Sequence, residues 1–541
     1  MEKRLIIAVL LSIGVLYAYS FIFPTQKPLP KGAAPKQAAV TSVSAAPGEA
    51  AVAIAPAPAA QPEAVQPQTA ATARDITVDT DLYSAVFSSQ GAALKKLVLK
   101  KYKETLGPQG KDIVLINEMA PERFALLSDS REFGIAPGTV FNASADSLKL
   151  SDGNKGTLEF SAVTPQGVLF KKIYSFSGDA YRIGLTEQVQ NSGAAKVDGV
   201  LHLLQKERIS EHKGEGRYEV YGPSVLSDDK VNIDKLDNIQ KTPAQYNKSV
   251  IWSAFADKYF VNVVMAEKGS IANVQMTRPA ADVLVRDISS PALSVPPGQV
   301  ASVDYSIYYG PKDLDILKMQ GNRLEEVIDY GWFGPIAKPL IYSLKYLYKY
   351  TGNYGLAIII ITFILKLLFF PLTHKSYKSM KDMQKLQPKM TELKEKFKND
   401  RDGMNKAVME LYKTHKVNPM GGCLPMIVQI PVFFGLYRAL MYSIELRHAP
   451  FYLWITDLSA KDPYYVTPIV MGVTMFIQQQ LNPTPPDPMQ ARVMKLLPII
   501  FTFFFLWFPA GLVLYWVVNN ILSIAQQWYI TRQIEAGAKP A

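Results

Sequence analysis

Runs of about twenty apolar residues recur along the chain, most of them in its C-terminal half. A helix needs roughly 20 apolar residues to cross the hydrocarbon core of a bilayer. The chain has six such runs, at residues 1–23, 352–373, 419–443, 465–481, 496–509 and 511–530. This pattern predicts six transmembrane helices: an N-terminal anchor and, much later in the chain, a core of five.

Between the first two runs, polar and apolar residues alternate with a period of two. In the segment 181–190 the apolar residues share one face: Tyr181, Ile183, Leu185 and Val189. The segment 302–309 repeats the alternation. Such a period is typical of strands that bury one face. Many such segments, separated by turns with Gly, Asn and Pro, predict a large antiparallel β-sandwich at residues 74–318.

Two histidines of this predicted domain, His202 and His212, lie near Glu207 and Glu211. Their spacing fits no metal-ligand motif, and polar residues on a strand or loop surface account for them. We therefore expect a binding or spacing module rather than an enzyme, with no cofactor, no metal and no small-molecule substrate.

The remaining segments are connections of distinct composition. Residues 24–73 are rich in Ala and Pro and predict an extended linker. Residues 319–351 mix aromatic residues with lysines, which suits an amphipathic helix in the membrane interface. Residues 374–418 are charged, with apolar residues every three or four positions and a break at Pro388, which predicts a helical hairpin in water. Shorter connections complete the chain, at residues 444–464, 482–495 and 531–541.

The net charge of +11 could suggest binding to nucleic acid, but the basic residues lie beside the apolar runs. In that position they indicate which side of the membrane each loop occupies, rather than DNA binding. The hairpin segment has twelve basic and six acidic residues, an excess of six. Basic residues mark the cytoplasmic side of a membrane protein. We therefore expect the hairpin and both termini in the cytoplasm and the β-domain outside, with ribosomal RNA or anionic lipid near the hairpin. The single cysteine, Cys423, excludes an intrachain disulfide.

One cation interrupts the second run. Lys366 follows Thr362 by one helical turn, and a lysine at mid-membrane depth costs on the order of 2.5–3.5 kcal/mol. On the expected topology, further polar residues fall in the cytoplasmic halves of the other spans: Gln429, Thr474, Gln478, Asn519, Asn520, Ser523 and Gln526. Together they predict a hydrated cavity open to the cytoplasm. Two alternatives stay open. The polar residues could form hydrogen bonds between helices, and the aliphatic stem of Lys366 could extend so that its ammonium group reaches the membrane interface.

Several long motifs resemble a known family. Residues 418–425 read NPMGGCLP, residues 430–433 read IPVF, residues 457–465 read DLSAKDPYY and residues 506–515 read LWFPAGLVLY. They closely resemble the YidC family of membrane protein insertases, which includes mitochondrial oxidase-assembly proteins and chloroplast relatives. The resemblance covers about residues 330–535, and the anchor and exported domain match its Gram-negative branch in layout.

The resemblance implies an insertase and folding chaperone of the bacterial inner membrane, working alone or with the Sec translocon. Its five-helix core holds a hydrophilic groove, and its large domain is periplasmic. The resemblance adds Tyr515 and Trp516 to the groove. Its usual groove arginine corresponds here to Lys366, which lacks the bidentate guanidinium fork. The implied partners are nascent membrane proteins, membrane lipids, the Sec translocon and, through the hairpin, the ribosome and signal recognition pathway.

Two other functions remain as alternatives. A solute or ion transporter would favour broken, repeated spans at the midplane. A membrane-anchored protein that binds or converts sugars would act through the β-domain.

Overall fold

The computed structural model describes residues 72–209, 221–397, 400–415, 417, 424–482 and 488–537. The predicted anchor at 1–23 and nearly all of the predicted linker at 24–73 lie outside the described residues. Glu211, His212 and most of the motif at 418–425 do so as well.

The N-terminal part of the described chain consists mainly of strands. They are β1 (Asp75–Asp79), β2 (Tyr83–Ser88), β3 (Ala93–Lys103), β4 (Asp112–Asn117), β5 (Leu127–Asp129), β6 (Asn142–Ala143), β7 (Ser147–Lys149), β8 (Lys155–Val163), β9 (Val168–Ser177), β10 (Arg182–Asn191), β11 (Val197–Gly199), β12 (His202–Arg208), β13 (Gly222–Ser227), β14 (Lys230–Ile233), β15 (Ala244–Tyr246), β16 (Val250–Ala256), β17 (Phe260–Ala266), β18 (Asn273–Ala280), β19 (Val283–Ser289), β20 (Leu293–Val295) and β21 (Val300–Pro311).

Helices dominate the rest. They are α1 (Leu236–Lys241), α2 (Leu314–Met319), α3 (Gly334–Thr351), α4 (Tyr354–Leu368), α5 (Phe370–Lys385), α6 (Gln387–Lys396), α7 (Arg401–Thr414), α8 (Leu424–Tyr442), α9 (Val466–Leu481), α10 (Pro488–Phe505) and α11 (Ala510–Gly537). Short 3-10 helices lie at Pro121–Arg123, Leu324–Val327, Gly331–Phe333 and Ile444–Leu446.

The strands form a sandwich. One layer is a nine-stranded sheet in the order β14-β13-β16-β17-β21-β10-β9-β8-β6. Two five-stranded sheets pack on one face of it, in the orders β4-β3-β2-β1-β7 and β15-β18-β19-β12-β5. Phe87 of the first packs on Tyr174 of the large sheet with ring centroids 4.7 Å apart, and Arg286 of the second donates to Asn262 of the large sheet. The predicted β-sandwich is therefore present.

The two segments with the clearest period of two are strands β10 and β21, as predicted, and they pair antiparallel with Leu185 opposite Tyr305. One residue departs from the expected pattern. Glu187 lies on the apolar face of β10, fully buried, 3.8 Å from the equally buried Lys172. Because a charge buried without a partner is very costly, each group compensates for the burial of the other.

The helices α4, α8, α9, α10 and α11 form a bundle whose buried core includes Ile358, Leu436, Met471 and Val513. Some bounds differ from the predicted ones. Helix α10 begins at Pro488, inside the predicted loop 482–495, and α11 continues to Gly537, into the predicted tail. By length and composition, none of the described helices alone could cross a membrane, whereas α4 and α5 together could, as a pair bent by 63°.

That bend divides the segment predicted as one span at 352–373. Helix α4 ends at Leu368, Phe369 lies at the break, and α5 starts again with Pro371 as its second residue. Proline lacks the N–H that would continue the hydrogen-bond ladder and its ring clashes with the preceding turn, so the helix breaks before it. Lys366 consequently lies in the last turn of a helix of 15 residues.

Lys345 of α3 joins the β-domain to the helices. Its Nζ lies 2.6 Å from Asp315 and 3.2 Å from Asp313, both at the start of α2, and 2.9 Å from Glu445, which follows α8. Burial alone would lower the pKa of Lys345, but attraction to Glu445 and the hydrogen bonds to Asp315 and Glu445 raise it above its ordinary value. The ammonium is therefore held charged between three carboxylates.

Replacing Lys345 by Met should lower the thermal stability of the detergent-solubilised protein, because three carboxylates would then face one another without a cation. Removing one partner of a buried ion pair costs about 3–5 kcal/mol, and we expect less here because Lys345 is 17% exposed. A thermal-shift assay on the full chain measures this. Lys349→Met, at an exposed position of the same helix, is the control. Equal effects of the two changes on thermal stability would contradict the claim that Lys345 joins the β-domain to the helices.

Candidate functional site

A cleft lies between α4, the start of α5, α8 and α11. It contains Lys366, the cation that interrupts the second apolar run. The space between these helices is about 420 Å³, a volume that includes open solvent. Its lining residues are Thr362, Leu365, Lys366, Phe369, Leu372, Thr373, Gln429, Val432, Tyr515 and Asn519. Five of the residues predicted from the sequence therefore share one surface: Thr362, Lys366, Gln429, Tyr515 and Asn519.

The polar groups of the cleft are joined across the helices. Lys366 Nζ donates to Ser523 Oγ at 2.6 Å, and Ser523 Oγ donates to the carbonyl of Asn519 at 2.7 Å. Gln429 Nε2 donates to Asn519 Oδ1 at 2.6 Å, which links α8 to α11. Among the described residues, Lys366 has this hydroxyl as its polar partner and forms no ion pair. Its charge is therefore solvated by a neutral group and not neutralised.

Other predicted residues lie outside the cleft lining. Asn520 Nδ2 donates to Thr474 Oγ1 at 3.1 Å, and both side chains are buried between α9 and α11. For this pair the structure agrees with the alternative of hydrogen bonds between helices. Gln478 and Gln526 are partly buried, and Gln526 Oε1 has no hydrogen-bond partner within the described structure.

Trp516 also lies away from the lining, in an aromatic cluster nearer the β-domain. Its ring centroid is 4.7 Å from Phe433 and 4.9 Å from Phe505, and Phe505 packs on Phe508 at 4.8 Å. These rings fill the space between α8, α10 and α11. The bundle is therefore polar beside the cleft and packed with apolar rings at the helix ends nearer the β-domain.

The cleft has lining residues that the sequence pattern did not indicate. Leu365, Phe369, Leu372, Thr373 and Val432 complete its wall. Two of them, Leu372 and Thr373, follow the bend at Phe369, which brings the start of α5 into the cleft wall. Pro371 was the only available signal for this, because it predicts a break in the run but not the direction in which the chain then turns.

The β-domain was the other candidate location. His202 Nδ1 lies 2.9 Å from Asp287 Oδ1 and 3.3 Å from Ser289 Oγ, half-buried on β12. Deeper inside, Arg286 donates to Glu207 at 2.8 Å, and Asn262 donates to the same carboxylate at 2.9 Å. Within the described part of the chain no His, Cys, Asp and Glu cluster could hold a metal ion. These groups pair with one another in the sandwich.

Comparison with known proteins bears on both locations. A family model described as the 60Kd inner membrane protein matches residues 346–537, and one described as the YidC periplasmic domain matches residues 75–343. The membrane protein insertase YidC of Citrifermentans bemidjiense is 71% identical over 536 residues, which are 99% of this chain and 100% of the relative. The chain belongs to the YidC family of membrane protein insertases.

More distant insertases align over the same length. The YidC protein of Geotalea uraniireducens is 60% identical, over 99% of this chain and 100% of its own. That of Geobacter sulfurreducens is 52% identical, over 99% of both chains.

Family membership confirms the function expected from the sequence motifs. The protein inserts membrane proteins into the inner membrane, is not an enzyme, and carries its β-sandwich in the periplasm. Nascent membrane proteins are its substrates. The transporter and sugar-converting alternatives are thereby set aside.

The His202–Asp287 pair makes a pH-dependent contribution to the stability of the β-domain. The hydrogen bond to Asp287 raises the pKa of His202 above its ordinary value of about 6.5. A histidine whose pKa is higher in the folded state than in the unfolded state stabilises the fold at pH values below its unfolded-state pKa. This stabilisation disappears as the pH rises through its folded-state pKa. In His202→Gln, chemical unfolding followed by tryptophan fluorescence should show a smaller loss of stability as pH rises above about 6.5.

Asp287→Asn removes the carboxylate charge that favours the protonated imidazole and should flatten the same part of the pH profile. An unchanged profile in both variants would show that the pair does not set it.

Proposed function

We propose that the cleft is the groove that receives a polar segment of the substrate during insertion. The observation that carries this proposal is the charge of Lys366, which has a serine hydroxyl and no carboxylate beside it among the described residues. A cation in this setting attracts an acidic side chain strongly, because the surrounding dielectric is low. The substrate contacts would be Lys366, Thr362, Gln429, Tyr515 and Asn519.

The other predicted polar residues would support this groove rather than line it. Ser523 would hold the Lys366 ammonium in place, and the Thr474–Asn520 bond would hold α9 against α11. For Gln526 the unpartnered amide oxygen supports a place for water or a substrate donor. Gln478 and Trp516 would contribute through the surface of α9 and the aromatic cluster.

The length of α4 supports a short crossing distance. Its 15 residues extend about 22 Å at 1.5 Å per residue, whereas the apolar core of a bilayer is about 30 Å thick. A polar segment in the cleft would therefore cross less hydrocarbon than it would beside the protein. The apolar segment next to it would partition into lipid along exposed side chains such as Phe503 and Ile499.

The free energy for insertion would come from this partitioning and from the membrane potential. The potential contributes about 2.3 kcal/mol per charge and per 100 mV, and with the cytoplasm negative it favours outward movement of an acidic residue. The sequence has no apparent nucleotide-binding loop.

We also infer the full topology of six spans with both termini in the cytoplasm. The β-domain is periplasmic, and Arg447, after α8, donates to the Glu104 carbonyl of that domain at 3.2 Å. This contact supports a periplasmic position for the adjacent helix ends, so that the polar end of the cleft would face the cytoplasm. Helices α5, α6 and α7 would then be the cytoplasmic hairpin that meets the ribosome and signal recognition pathway, with the Sec translocon as a partner within the membrane.

The charge of Lys366 is testable with a matched pair of substrates. One substrate has an acidic exported tail, and the other has the same tail with each Glu changed to Gln. Lys366→Arg should retain insertion of both, because the positive charge remains. Lys366→Glu should reduce insertion of the acidic substrate several-fold and leave the neutral one nearly unchanged, as measured by protease protection in inner-membrane vesicles.

Lys349→Glu makes the same charge change on an exposed position outside the cleft and serves as the control. Normal insertion of the acidic substrate by Lys366→Glu would refute the electrostatic part of the proposal.

A further inference from the structure

The motif at residues 457–465 has no role in the cleft. It belongs to the segment 449–465, which connects α8 to α9 at the β-domain end of the helices; we refer to residues 449–465 as the outer segment. Two internal hydrogen bonds hold its fold, from Phe451 N to Ile455 O at 2.9 Å and from Leu458 N to Ala449 O at 2.9 Å. The outer segment is thus an ordered element on which other contacts can be built.

The outer segment holds the first residues of α11 through backbone hydrogen bonds. Ala510 N donates to Ala460 O at 2.7 Å, and Gly511 N donates to Leu458 O at 2.9 Å. The side chain of Leu458 is fully buried in the core of the bundle. These bonds satisfy donors that a helix N-terminus otherwise leaves without partners.

It holds the start of α4 in a different way. Asn353 caps α4 by accepting from Leu356 N at 3.1 Å, and its Nδ2 donates to Phe451 O at 3.3 Å. The Phe451 ring packs directly on Gly355, where a Cβ atom would lie 2.0 Å from the ring. The first turn of α4 therefore accepts the outer segment only because a glycine stands there.

The third helix, α9, is held by one carboxylate. Asp462 is 1% exposed and accepts four hydrogen bonds. Its Oδ1 accepts from Trp454 Nε1 at 3.1 Å and Tyr464 N at 2.9 Å, and its Oδ2 accepts from Thr467 N at 2.7 Å and Thr467 Oγ1 at 2.8 Å. The positive end of the helix dipole adds to this anchoring.

These contacts also keep Asp462 charged. Burial would raise its pKa, but the hydrogen bonds from Thr467, Tyr464 and Trp454 outweigh that effect and hold the pKa below its usual range. The carboxylate therefore joins Trp454, inside the outer segment, and Tyr464, near its end, to the first turn of α9.

The three helices tied in this way are among those that carry the predicted polar residues. Thr362 and Lys366 lie on α4, Thr474 on α9, and Asn519 on α11. At the far ends the same helices meet through side-chain hydrogen bonds, such as Lys366–Ser523 at 2.6 Å and Gln527–Asn482 at 3.2 Å. The bonds at the β-domain end involve buried residues such as Leu458 and Asp462, whereas Lys366 lies in the cleft lining. Buried bonds resist separation more strongly than bonds that water can replace.

We propose that Asp462 is a positioning residue for insertion: it fixes the outer segment, which pins α4, α9 and α11 at the β-domain end, so that the helices part only at the polar end. This inference rests on the proposed groove. A substrate that enters between the far ends would then separate the helices at those ends. The helices would stay together at the periplasmic side, so no path across the membrane would open.

The test measures distances and insertion in the same full-length protein, reconstituted in lipid vesicles with Cys423 changed to Ser. Spin labels at positions 356 and 469 report the β-domain ends of α4 and α9, and labels at 367 and 477 report their far ends. Asp462→Asn replaces one carboxylate oxygen by an NH2 group. That group cannot accept a hydrogen bond and would face a hydrogen-bond donor. We expect a broader distance distribution for the 356–469 pair, an unchanged one for the 367–477 pair, and several-fold less insertion.

Asp257→Asn is a matched control, because Asp257 also accepts from two backbone donors, Tyr259 N and Phe260 N, but lies in the β-domain. It should change neither distance distribution nor insertion. Asp462→Glu, which keeps the charge, should recover part of the insertion lost in Asp462→Asn. Unchanged distances in Asp462→Asn would overturn the proposal, whether insertion falls or not, because Asp462 would then not pin the helices.

If Asp462→Asn does not yield folded protein, Trp454→Phe and Thr467→Val each remove one side-chain donor, and Thr467→Val also keeps the side-chain volume. They should show the same selective broadening to a smaller degree, and its absence in both would overturn the proposal. The groove itself is judged separately by the Lys366 variants. Suppose that Asp462→Asn selectively broadens the 356–469 distances while Lys366→Glu inserts acidic substrates normally. That result would contradict the role of the Lys366 charge in the groove, and the role of Asp462 in holding the helices would still stand.

Discussion

The membrane part of this protein depends on one electrostatic constraint, a cation in the last turn of a short helix with a hydroxyl as its partner. Lys366 is held toward Ser523 on α11, and the neighbouring amides Gln429 and Asn519 bond to each other. These groups can stay in a low-dielectric region only if water or an incoming polar group reaches them. In the proposed groove, the cleft, the bend at Phe369 and the shortness of α4 would provide that access.

The two ends of the same helices are built from different interactions. Near the β-domain, aromatic rings such as Phe433 and Phe505 fill the bundle, and the outer segment is hydrogen-bonded to the starts of three helices. The ion pairs of Lys345 add a rigid connection to the periplasmic sandwich. At the far end, polar side chains meet across a cleft. The proposed groove requires this asymmetry, because it would admit a polar segment from one side while remaining closed on the other.

Much of this arrangement was predictable from the sequence. The period of two identified β10 and β21, and the isolated lysine identified the cleft. Other features were not predictable, for definite physical reasons. Glu187 lies on an apolar strand face because Lys172 of the neighbouring strand compensates it, and this pairing depends on a register that the sequence pattern does not contain. The roles of Thr474 and Asn520 depend on which helix faces they occupy, and the motif of Asp462 became interpretable only through its contacts.

The most direct test of the central claim is site-specific photocrosslinking to a nascent chain arrested during insertion. The photoreactive residue is placed at position 429 or 519 in the cleft, or at position 503, where Phe503 is 62% exposed on α10. The account predicts that the polar exported segment crosslinks to 429 and 519, and that the adjacent apolar segment crosslinks to 503. Crosslinks of the polar segment to 503, with none to 429 or 519, would contradict it.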